Sequence, residues 1–105
     1  LGFPTANILL GDTMQLFPAD GVYEVAVELD GGTFQGVMNI GIKPTVASGK
    51  ERTLEVHIIG FEGDIYGKSV TVRFVRRLRG EQSFDNINAL RFQIEVDVAR
   101  VKRGI

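Results

Sequence analysis

Residues 21–40 read GVYEVAVELDGGTFQGVMNI, and their alternation decides the fold class. Tyr23, Val25, Val27 and Leu29 fall on one side of an extended chain, Glu24 and Glu28 on the other. That is a period of two, the mark of a strand with one dry face and one wetter face. Asp30-Gly31-Gly32 follows. Asp-Gly and Gly-Gly between apolar runs signal a hairpin, because these residues accept the positive φ angles of a tight turn. Phe34 to Ile40 is then the returning strand.

The same rhythm continues downstream. Gly41-Ile42-Lys43-Pro44-Thr45 breaks the second strand, and residues 47–51 read as an exposed loop. In TLEVHII, Thr53 to Ile59, the residues Leu54, Val56 and Ile58 face one way, Glu55 and His57 the other. Gly60 to Asp64 forms a turn, and Ile65-Tyr66-Gly67 leads into a strand from Lys68 to Val75. There Val70, Val72 and Phe74 point inward, and Arg76, Arg77 and Arg79 crowd the strand end. After Phe84 the period lengthens. Ile87, Leu90, Ile94, Val98 and Val101 stand three or four apart, a helical stripe. Asp85 or Asn86 can cap its start, and Lys102-Arg103-Gly104 suits its end. One or two weaker strands belong near residues 4–10. The expected architecture is all-β: a small antiparallel barrel with one C-terminal helix packed outside it or across one end.

Composition narrows the function classes. The 105 residues are 44% hydrophobic and 24% charged, which suits one packed domain. Thirteen glycines fit many tight turns. A net charge of −1 argues against broad binding to a nucleic-acid backbone. The absence of cysteine excludes disulfides and thiolate metal sites and fits a reducing compartment. No apolar run is long enough to span a membrane.

The chemistry-bearing residues are few. Thr5 and Asn7 sit one residue apart in PTAN, where an extended chain presents both to the same side. They are neutral oxygen donors, and hard cations want anionic ligands. They make sense against a metal whose negative charge arrives with a substrate such as a nucleotide triphosphate; satisfying local backbone groups is the plainer alternative. Glu55 is a mid-strand carboxylate on the wetter face, by default a solvent-facing residue. His57 is the sole histidine, so a multi-histidine metal site is excluded. Neither GxxxxGK[ST] nor GxGxxG occurs, which rules out Walker-type and Rossmann nucleotide sites. The arginine group at 73, 76, 77 and 79 can grip an anion, or simply solvate a strand end.

Taken in order, the short motifs resemble those of riboflavin kinases, the flavokinase domain. GFPTAN at Gly2–Asn7 is followed by GVY at Gly21–Tyr23, NIGIKPT at Asn39–Thr45, EVHI at Glu55–Ile58, DIYG at Asp64–Gly67, LRGEQSF at Leu78–Phe84 and LRFQIEVD at Leu90–Asp97. Each is weak alone; the ordered set spans essentially the whole chain.

The resemblance implies a six-stranded antiparallel Greek-key barrel with a C-terminal helix. It also implies transfer of the ATP γ-phosphoryl to the ribityl 5′-hydroxyl of riboflavin, giving FMN and ADP. By motif match, Thr5 and Asn7 hold Mg²⁺ and the nucleotide phosphates, and Glu55 is the base. Ile58 and Tyr66 match ATP contacts, and Arg79, Gln82 and Phe84 match flavin contacts. His57 is kept as a structural neighbour, and the NIGIKPT segment as a flap beside the nucleotide. Further glycines and basic residues are expected upstream of Leu1, so that residues 1–105 form a kinase domain truncated at its N-terminal edge. In the bacterial pattern an FMN adenylyltransferase domain precedes it. A cytoplasmic location is expected, with no nucleic-acid or membrane partner. The competing readings are a non-catalytic flavin- or nucleotide-binding barrel and a barrel for single-stranded nucleic acid.

Overall fold

The structure, a computed structural model, describes residues 5–7, 19–43, 51–63, 65 and 68–105. They form β1 (Thr5–Asn7), β2 (Gly21–Leu29), β3 (Gly32–Lys43), β4 (Glu51–Ile58), β5 (Thr71–Arg79) and α1 (Ile87–Arg103). The strands make one antiparallel sheet in the order β1-β4-β3-β2-β5.

The β2–β3 hairpin closes where the alternation and the glycines place it. Leu29 stands opposite Gly32, and the two residues between them, Asp30 and Gly31, have φ of 52° and 77°. Positive φ at both central positions is a type I′ turn, whose twist matches that of the flanking strands. β4 pairs with β3, and β5 returns to lie beside β2. The order β5-β2-β3-β4 is a Greek key: three strands in sequence, then a fourth that comes back beside the first.

Two layers of core sit on the two faces of this sheet. On one face, Tyr23, Val25, Val27, Met38, Ile40, Leu54, Val56 and Ile58 pack together, with Phe34 and Phe61 half-buried against them. On the other, Val22, Val37 and Leu78 meet Ile94, Val98 and Val101 of α1. Each fully buried side chain of this kind stabilises by roughly 1.5–3 kcal/mol relative to exposure. The helix is fixed at both ends. The Asn86 side chain accepts from the Ala89 N–H at 2.9 Å. Gly104, at φ 74°, ends it by donating its N–H to the Arg100 and Val101 carbonyls.

Three boundaries differ from the sequence reading. β3 continues through Gly41–Lys43, because its ladder to β4 runs on to Lys43 opposite Glu51. Asn39–Lys43 of the expected flap are therefore strand, and residues 44–50 lie outside the described set. β5 begins at Thr71, not Lys68, and runs to Arg79. Its register against β2 shifts twice, between Val22 and Tyr23 and between Glu24 and Val25. Such irregularities break strict alternation, and Leu78 buries itself under the helix; Phe74 packs edge-on to Tyr23 on the core side yet is 40% exposed. The described residues give an open five-stranded sheet, where a closed barrel of six strands was expected. No helix among them is long and apolar enough to cross a membrane.

Candidate active site

Strand register lines up a row of residues across the helix-side face. Val22 of β2 stands opposite Arg79 of β5 and opposite Asn39 of β3. Asn39 in turn stands opposite Glu55 of β4, and Glu55 opposite Asn7 of β1. One step along, His57 stands opposite both Val37 and Thr5. The alternation that buried Leu54, Val56 and Ile58 in one core thus sends Glu55 and His57 to the other face.

A cavity of about 120 Å³ opens over this row, beneath the first half of α1. Its polar lining includes Glu55, Asn39, Arg79 and Gln82, and its apolar lining includes Phe84, Leu90, Ile94, Val22 and Val37. The segment after β5 carries Gln82 and Phe84 to it. That segment crosses close to β3 at Gly41, where the Glu81 carboxylate occupies the space a Cβ would take. Four residues chosen from sequence, Glu55, Arg79, Gln82 and Phe84, therefore share one cavity although they are spread over β4, β5 and the following loop.

The electrostatics are ordered. The Glu55 side chain is 41% exposed, open to a ligand, while that of His57 beside it is 5% exposed. Burial pushes the His57 pKa below its usual value; the nearby Glu55 charge pulls the other way without prevailing. His57 is thus neutral at physiological pH. Its Nε2 lies 3.9 Å from Glu55 Oε1, too far for a hydrogen bond, so Glu55 keeps its acceptors for a ligand on that side.

Arg79 is held by a residue that sequence reasoning did not single out. Its Nε donates to Asp97 Oδ1 at 3.1 Å and its Nη2 to Oδ2 at 2.8 Å. Gln93 Nε2 donates to the same Oδ1 at 3.1 Å. Asp97 is a buried carboxylate on the helix face that packs on the sheet. A two-pronged pair of this kind fixes the plane of the guanidinium as well as its place. The signal was present: Asp97 falls on the apolar stripe between Ile94 and Val98, where an acid demands a partner.

The remaining candidates fall elsewhere. Ile58 is fully buried in the opposite core, so its side chain does not reach the cavity. Tyr66 lies outside the described residues. Thr5 and Asn7 stand at the register positions beside His57 and Glu55. Among the described residues no cluster of three histidine or acidic side chains is placed to hold a metal ion.

The model of the family described as flavokinase, riboflavin kinase, matches residues 1–105. The chain belongs to the riboflavin kinase family. Among its curated relatives, a bifunctional riboflavin kinase/FMN adenylyltransferase of Pseudomonas fluorescens is 45% identical over 102 residues, covering 97% of this chain and 32% of that protein. An RNA-binding riboflavin kinase of Bacillus subtilis (strain 168) is 40% identical, covering 98% of this chain and 44% of that protein. The chain thus spans about a third to under half the length of these flavokinase relatives. A solved structure described as a macrolide-efflux protein from Streptococcus pneumoniae superposes with a TM-score of 0.83 at 36% identity, over 96% of this chain and 33% of that one.

Proposed function

We propose that this flavokinase domain is an ATP:riboflavin 5′-phosphotransferase whose base is Glu55. The observation that carries the reading is an accessible Glu55 carboxylate in the lining of the cavity, next to Asn7 in the ladder. Arg79, Gln82 and Phe84 line the same cavity. The ribityl 5′-oxygen attacks the γ-phosphorus, its proton passes to the Glu55 carboxylate, and the bond to the β,γ-bridging oxygen breaks with its electron pair leaving on ADP. Reactions of this type need alignment and charge neutralisation more than covalent help. Thr5 and Asn7 are neutral donor types, and no acidic cluster accompanies them among the described residues. They suit Mg²⁺ that arrives already carrying the anionic oxygens of ATP, and would hold it with the phosphates; Mg²⁺ then supplies neutralisation of phosphate charge. The flavin ring lies against Phe84 and Leu90, with the anchored Arg79 at its polar edge.

The finer architecture belongs to the same proposal. A six-stranded Greek-key barrel with a C-terminal helix is the complete architecture expected for the domain, a reading supported by the Greek-key order of the described strands. The complete protein carries an FMN adenylyltransferase domain, a reading supported by relatives that bear both names and that this chain covers to 32%. It acts in the cytoplasm on riboflavin and ATP, with FMN as product and FAD as the next step.

The test is FMN formation from riboflavin and Mg-ATP by the complete protein and its Glu55→Gln variant. The parent should form FMN, and the variant should lose about 10²–10⁴-fold in kcat with little change in KM, the usual span for a general base. Parent-like turnover in the variant would remove Glu55 as the base. Flavin or ADP binding without FMN formation by the parent would favour the non-catalytic barrel.

A further inference from the structure

The row of residues under the cavity contains one polar group that the scheme above leaves unused. Asn39 lies between Val22 and Glu55 in the ladder and lines the cavity. Its Oδ1 is buried and has no hydrogen-bond partner among the described residues. Buried polar atoms are nearly always paired; Oδ1 is turned into the wall of the cavity that Asn39 lines, and a turn of the amide would present it to a ligand there. The neighbours are spoken for differently: Arg79 is saturated on one side by Asp97, and Val22 offers no polar atom.

We infer that the Asn39 amide reads the polyol chain of the flavin substrate, with Oδ1 accepting from a mid-chain ribityl hydroxyl. This rests on the riboflavin kinase reading of the same cavity. The spacing supports it. Neighbouring strands are about 4.8 Å apart, so Asn39 sits one such step from Glu55 and Val22 two. From its 5′-oxygen to the ring nitrogen a ribityl chain has six bonds, each about 1.5 Å, and reaches about 7.5 Å in extended form, with its middle about 4 Å from the 5′-oxygen. A 5′-hydroxyl at Glu55 therefore brings the middle of the chain past Asn39 and the ring over Val22, Leu90 and Phe84. Asn39 is then a specificity residue: it distinguishes a hydroxylated side chain from a bare or alkyl-substituted flavin, and it holds the chain so that its last hydroxyl meets Glu55.

The experiment compares the complete protein with its Asn39→Leu and Asn39→Thr variants. Binding of riboflavin and of lumiflavin, the same ring with a methyl in place of the ribityl chain, is measured by flavin fluorescence, and KM for each substrate from FMN formation. Asn39→Leu should weaken riboflavin about tenfold, the worth of one buried hydrogen bond, and leave lumiflavin binding and the KM for ATP unchanged. Asn39→Thr, which restores a hydroxyl on a strand-compatible side chain, should recover part of the loss. The melting temperature of Asn39→Leu should change little, because Oδ1 has no hydrogen-bond partner among the described residues to lose. Equal weakening of both flavins, or unchanged riboflavin binding in a parent that makes FMN, would overturn the role of Asn39 alone. A parent that binds neither flavin would overturn the kinase reading and this inference with it.

Discussion

His57 is the residue whose environment most constrains the chemistry beside it. Its ring is buried between core and cavity, and burial lowers its pKa. In the unfolded chain the imidazole takes up a proton near its ordinary value of 6.5. The folded form resists doing so until lower pH. The unfolded state therefore binds more protons between the two values, and stability falls as pH drops through 6.5 toward the folded pKa. Urea unfolding at pH 7.5 and 5.5 should show a drop in the parent that is smaller in His57→Gln; equal drops would mean that His57 does not titrate differently on folding. Glu55, two residues earlier, was legible from alternation as a residue of the wetter face, but its partners were not. Period two says which face a residue takes, not that Asn39 and Asn7 flank it, because register is set by pairing between distant strands. Ile58 shows the converse: a motif match drew it toward a ligand, while the same alternation puts its side chain in the opposite core.

At the scale of elements, β2 and α1 were readable because one local pattern governs each. The alternation of Gly21–Leu29 and the stripe of Ile94, Val98 and Val101 both point to real buried faces. Asn86, one of the two expected caps, is the observed one, and Asn86→Ala should cost about 1 kcal/mol in a thermal or chemical melt. β5 was harder. Its shifts in register interrupt the alternation, and two of its arginines find partners on β2: Arg76 Nε donates to Glu24 at 2.7 Å and Arg73 pairs with Glu28. What appeared to be a charged strand end is part of the ladder. Asp97 belongs to this scale, since it ties the helix to β5 through Arg79. Asp97→Ala should cost about 1.5–3 kcal/mol, the span for hydrogen bonds to charged groups. It should also raise the KM for riboflavin more than that for ATP. An unchanged KM with reduced stability would make the pair a clamp of the fold without influence on the site.

Across the whole molecule, the site exists because the Greek-key order brings β5, β2, β3 and β4 side by side. Residues 22, 39, 55 and 79 then become neighbours, and α1 roofs them over. The sequence motifs, read in order, carried the family; pairing and packing supplied the cavity, the buried Asp97 and the Asn39 Oδ1 left without a partner among the described residues. The central claim is that this cavity, at about 120 Å³ smaller than the roughly 300–1,000 Å³ of ligand pockets, widens to take the flavin with its ribityl end at Glu55. The most direct measurement is a crystal structure of the complete protein with riboflavin and Mg-ADP. The ring should lie between Val22, Phe84 and Leu90, with the 5′-hydroxyl within about 3 Å of a Glu55 carboxylate oxygen. A flavin bound anywhere else on the molecule, or one bound here with its ribityl end turned away from Glu55, would contradict it.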